Sequence, residues 1–159
     1  MKKLILIVLS AICLFASACK KDKQTKKDEM YLTATKDNAK WVTNWHTFGE
    51  VDGAKNYILL GTKGEEHLRV RVTTNSLNQF VLDTEKTEFH ITIGLDAVAA
   101  RYILDESTEN IVDITNYDTR RVIMEGNFKL KFKKLSGLDG YPATVTFTDG
   151  KFKVSQAYD

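Results

Sequence analysis

Phe128-Lys129-Leu130-Lys131-Phe132-Lys133 alternates apolar and charged residues without a break. Successive side chains on a strand point to opposite faces, so this stretch sets three apolar side chains against a core and three lysines in water. On a helix the same residues would scatter around the axis. The pattern recurs. Leu68, Val70 and Val72 alternate with Arg69, Arg71 and Thr73, and Phe89, Ile91 and Ile93 with His90 and Thr92. One segment, Asp96–Ala100, is compatible with a helical turn, and it is too short to hold a helix alone.

Further strands are expected over Met30–Thr35, Trp41–Trp45, Asn56–Gly61, Phe80–Leu82, Ala100–Leu104 and Ile111–Thr115. Lys36-Asp37-Asn38-Ala39-Lys40 reads as a turn, with Asn38 suited to the left-handed conformation. Asp149-Gly150 lies between Val145 and Phe147 on one side and Phe152 and Val154 on the other, which predicts a hairpin. The competing reading is one long strand with a glycine bulge at Gly150. About nine or ten short strands without strand–helix alternation predict an all-β fold. An antiparallel β-sandwich is preferred, and a closed, lipocalin-like β-barrel is the alternative.

The N-terminus has a different character. Met1-Lys2-Lys3 precedes an apolar run from Leu4 to Phe15, and small Ala16, Ser17 and Ala18 follow. That order marks an export signal over residues 1–18, too short for a comfortable transmembrane helix. Cys19 stands directly after Ala-Ser-Ala, and its box resembles the bacterial lipobox. The resemblance implies a diacylglyceryl thioether on Cys19 and an acylated amine, and two or more acyl chains hold a protein stably on a bilayer. Cys13, the other cysteine, follows bulky Ile12 inside the apolar run and departs with the signal. The mature chain is then free of thiols, so its domain depends on its hydrophobic core.

Loss of Lys2 and Lys3 leaves 21 basic and 21 acidic residues. Residues 19–29 form a lysine-rich flexible tether, and 30–159 form a single domain of ordinary size. Residues 37–159 carry 15 basic against 18 acidic side chains. The basic balance therefore belongs to the signal and tether, which argues against nucleic acid as a partner. Lys20 after Cys19 lacks the Asp associated with inner-membrane retention, so the outer membrane is the expected location, with its face left open.

Thr33-Ala34-Thr35-Lys36-Asp37-Asn38-Ala39-Lys40-Trp41 resembles the opening of small lipoproteins of unknown function common in the Bacteroidetes phylum. Met124-Glu125-Gly126-Asn127-Phe128 is similar to an internal strand of that family, and Val145–Val154 to its closing motif. Asn38 departs from the family's Gly, and Met124-Glu125 from its Ile-Ser. The resemblance implies an anchored β-domain over residues 30–159. It supplies no catalytic residue.

Candidate sites are sparse. His46, His67 and His90 lack the spacing that sets two ligands on one element, and His67 and His90 fall on outward positions. The acidic turn Asp105–Glu109 lacks the acid spacing and central glycine of a calcium loop. No metal or cofactor is expected. Trp41 and Trp45 are a candidate sugar-stacking pair beside Tyr31 and Tyr57, although the same spacing suits a core anchor, which is the preferred reading. Lys129, Lys131 and Lys133 are a candidate anionic-ligand ridge, or lysines guarding an edge strand.

The expected function is a lipid-anchored, non-enzymatic binding or accessory module of the envelope. Its expected partners are the membrane through Cys19 and a glycan or envelope protein. The alternatives are a hydrolase acting on envelope glycans, with Glu125, Asp113 and His90 in one pocket, and a carrier with an empty apolar interior.

Overall fold

The computed structural model describes residues 29–51, 55–94 and 97–156. The expected signal over 1–18, Cys19 and the expected tether up to residue 28 lie outside them. The described residues form β1 (Tyr31–Lys36), β2 (Ala39–Val42), β3 (Trp45–Glu50), β4 (Asn56–Lys63), β5 (Glu66–Thr74), β6 (Phe80–Leu82), β7 (Glu88–Ile93), β8 (Ala97–Leu104), β9 (Ile111–Asp118), β10 (Ile123–Gly137) and β11 (Thr144–Ser155). The chain is all-β, in keeping with its alternating pattern. The segment open to a helical turn is extended from Ala97 onward.

The ladders between these strands are antiparallel, with one isolated parallel bridge between Phe48 and Gln156, and one sheet runs β2-β1-β11-β10-β8-β7-β5-β4-β3, with β6 on β5 and β9 on β10. The sheet folds over at β10. The first half of β10 pairs with β9, and the second half, from Phe132, pairs with β8. Aromatic contacts join the resulting layers: Phe89 of β7 meets Phe147 of β11 at 5.3 Å, and Phe48 of β3 meets Tyr117 of β9 at 6.0 Å. The result is a sandwich made from one open sheet.

The closed-barrel alternative fails on two counts. The sheet path ends at β2 and β3 without a ladder between them. The interior is filled by Trp41, Phe89, Tyr102, Phe132, Phe147 and Phe152, each 1% exposed or less. An empty carrier cavity has no room there.

β1 and β2 are joined by Asp37 and Asn38, both at positive φ (48° and 66°), the two-residue turn that matches hairpin twist. Asp37 also bonds back to Thr146, its Oδ1 accepting from the Thr146 amide at 2.8 Å. After Val42 the chain changes layers. The Thr43 amide and hydroxyl both donate to the Leu32 carbonyl of β1, and the Asn44 amide donates to the Thr62 carbonyl of β4. The expected single strand Trp41–Trp45 is thus two strands in two layers.

The hairpin expected at Asp149-Gly150 is absent, because β11 runs through it to Ser155. Phe128 pairs with Gly150 and Leu130 with Phe147, so Thr148 and Asp149 together oppose Lys129. That is the bulge of the competing reading, with Asp149 at φ 51°. Around it two Gly-x-Phe triplets meet head to tail. Gly126 pairs with Phe152, and Gly150 pairs with Phe128. A Cβ on Gly150 would stand 2.5 Å from the Phe128 ring, and one on Gly126 would stand 2.7 Å from the Phe152 ring and 2.2 Å from the Asp113 carbonyl oxygen. Each phenylalanine occupies the space that its partner glycine leaves.

Candidate functional site

A chemically varied, partly exposed surface lies on the outer face of β3, β4, β5, β7 and β8. Cross-strand register pairs Trp45 with Thr62, Thr62 with His67, His67 with His90, and His90 with Arg101. Directly opposed residues share a face of the sheet, so the five side chains form one row. Four strand spacings of about 4.8 Å make that row roughly 19 Å long. Trp45 is 49% exposed at one end. A depression of about 320 Å³ beside it is lined by Leu60, Thr62, His67, Arg69 and His90 as well as the indole.

Hydrogen bonds and stacking order the middle of the row. The ring nitrogens of His67 partner the Thr62 hydroxyl at 3.2 Å and the Thr92 hydroxyl at 3.3 Å. His67 and His90 stack with centroids 4.7 Å apart and planes 14° from parallel. Partial burial pushes the His90 pKa down. The His67, Arg101 and Arg69 charges push the same way, and Glu88 opposes them.

The next row holds the counter-charges. Glu88 receives Nε and Nη2 of Arg101 at 2.9 and 2.7 Å, and Arg69 Nη1 lies 3.6 Å from its other oxygen. One carboxylate thus serves two guanidiniums. A second depression, lined by Arg69, Arg71, Glu85, Lys86, Glu88 and Arg101, shares Arg69 with the first. Arg71 pairs with Asp83 at 3.8 Å.

The two tryptophans do not form one surface. Trp41 is fully buried, with its ring edge-on to Phe147 at 5.2 Å and its Nε1 donating to Glu66 Oε2 at 2.6 Å. Glu66 also pairs with Lys36, whose ammonium lies 5.5 Å from the Phe89 ring centroid. Trp41 is a core anchor, and the platform reduces to Trp45. Tyr57 packs inward on Phe80 and Tyr117, and Tyr31 is partly exposed on β1.

Lys129 and Lys133 are exposed on the outer face of β10, and Lys131 is half-exposed there and pairs with Asp105 at 3.4 Å. They do not guard an edge, since β10 is paired on both sides. Asp105 is committed locally. Ser107 donates to it through hydroxyl and amide, and that bonding holds its carboxyl below the ordinary value. The depression beside Lys129 and Lys131 is completed by Thr108, Glu109, Leu130 and Thr146, without an aromatic ring.

Glu125, Asp113 and His90 do not converge. Glu125 pairs with Lys153 at 3.0 Å on β10, Asp113 opposes Asn127 on β9, and His90 faces outward from the other layer. Among the described residues no three His, Cys, Asp or Glu side chains gather as a metal would require. The histidine pair was invisible to local spacing. Its signal is the β5–β7 register, in which β6 turns aside and lets His67 meet a residue far along the chain. No protein-family model, curated protein or solved structure matches the chain.

Proposed function

We propose that this chain is a non-enzymatic, lipid-anchored protein of the bacterial outer membrane that binds a glycan on the Trp45 row. The observation that carries the reading is one exposed indole at the head of a line of Thr, His and Arg side chains. Sugar rings offer an apolar face to an aromatic ring and hydroxyls to hydrogen-bonding neighbours, and this row supplies both. The lysine ridge lacks the ring, and its Lys131 is already paired.

Two measurements test the two halves of the reading. Labelled palmitate should enter the wild-type chain and Cys13→Ala and be lost in Cys19→Ala. Equal labelling of both variants would remove the anchor. On a glycan array, the full chain in detergent should retain sugars that Trp45→Ala does not. Identical profiles would remove the Trp45 site.

A further inference from the structure

We propose that the glycan taken by this face is acidic: a uronic-acid saccharide that stacks on Trp45 and sets a carboxylate against Arg69 and Arg101. The inference rests on the glycan reading above and narrows its ligand class.

Two adjoining depressions carry it. The first offers Trp45 and Leu60, and the second offers Arg69, Arg71, Lys86 and Arg101 against Glu85 and Glu88. They meet at Arg69. A ligand lying across both touches an apolar ring at one end and an excess of cations at the other. Arg71 is paired with Asp83, and without that pair the second depression still sets Arg69, Lys86 and Arg101 against Glu85 and Glu88. This excess sits on a domain whose residues 37–159 are net acidic. Nor does Glu88 saturate its neighbours, because only two of the five N–H donors of Arg101 go to it. Bidentate guanidinium–carboxylate pairing is the strong form of such recognition.

The histidine pair lies between the two ends and adds a dependence on acidity. An anion near His90 favours its protonation against the opposing charges of His67, Arg69 and Arg101, and Glu88 assists. Proton uptake and ligand binding therefore reinforce each other. Binding should tighten as the pH falls, for as long as the sugar carboxylate stays ionised.

The test uses the full chain in detergent and a panel of uronic-acid trisaccharides, each as the free acid and as its methyl ester. The esters keep the rings and remove the charge. By calorimetry the acid should bind about tenfold more tightly than its ester, the difference expected for one charge-assisted contact. Arg101→Gln combined with Arg69→Gln should erase that difference. Trp45→Ala should weaken both forms by about tenfold. Lowering the pH from 8 to 5.5 should tighten the acid on the wild type and leave a His67→Gln/His90→Gln chain unchanged. Equal, Trp45-dependent binding of acid and ester would overturn the acidic class while the glycan reading stands. Acid binding that ignores all of these variants would place the ligand elsewhere and overturn the proposal. Failure of every panel member in both forms would overturn the uronic-acid class, and the glycan array with Trp45→Ala then decides separately whether the glycan reading stands.

Discussion

The crossed Gly-x-Phe triplets should behave as a coupled pair of holes and plugs. Phe128 is 3% exposed, and truncating such a ring to alanine costs about 3–5 kcal/mol. Gly150→Ala drives a methyl to 2.5 Å from that ring and should cost about 1–3 kcal/mol through overpacking. In the double variant the methyl enters space that the ring has left. The combined loss should therefore fall short of the sum by at least about 1 kcal/mol. The Gly126 and Phe152 cycle should couple less. Removing the Phe152 ring leaves the new methyl 2.2 Å from the Asp113 carbonyl oxygen, and β9 must still shift. Gly49→Ala is the control, since its Cβ meets nothing within 4 Å, and it should change stability by no more than about 0.5 kcal/mol. Urea unfolding followed by tryptophan fluorescence supplies each value, with an unchanged slope confirming a comparable transition. Additivity of the Phe128 and Gly150 changes within about 0.5 kcal/mol would refute the reasoning, as would a Gly150→Ala cost equal to that of Gly49→Ala.

Further outcomes follow from the same contacts. Trp41→Phe leaves Glu66 short of a donor in a partly buried site and should cost about 1–3 kcal/mol in urea unfolding, whereas exposed Trp45→Ala should cost less than about 1 kcal/mol. Among the described residues the buried core lies between Leu32 and Val154, so a chain starting at Met30 should remain soluble and give a β-type far-UV spectrum; a helical spectrum would contradict the fold. His90 has a folded pKa below its ordinary 6.5. Above that value the imidazole is neutral in both states. As the pH falls through it the unfolded chain takes up the proton first, so stability falls, and His90→Gln should flatten this part of the profile. Asp105 and Asp118 act in a separate window, because their lowered values remove stability only as the pH falls below about 3.8.

The amount of this architecture legible in the sequence depends on whether the deciding contact is local. Lys129, Lys131 and Lys133 alternate with buried neighbours, and the strand follows from that period alone. Asp37-Asn38 likewise carries its own turn chemistry. Asp149-Gly150 has the same local character, yet its flanks pair with β10 and β1 instead of with each other. A left-handed aspartate next to a glycine suits a bulge as well as a turn, and the Phe128 ring over Gly150 selects the bulge. The spacing of Trp41 and Trp45 suggested one face, but the layer change at Thr43-Asn44 sends one ring inward and leaves the other exposed. The histidine pair and the arginines around Glu88 depend on strand register across three strands, which no local window contains. Lysine spacing alone suggested a guarded edge, whereas β9 and β8 cover β10 in succession.

The most direct test of the binding face is a solution NMR titration of the domain with the sugar that the array ranks highest. The Trp45 indole and the His67 and His90 imidazoles should shift in proportion to occupancy. The Trp41 indole and the Lys129, Lys131 and Lys133 amides should stay in place. Shifts confined to the lysine ridge, with the Trp45 signal unmoved, would contradict the assignment.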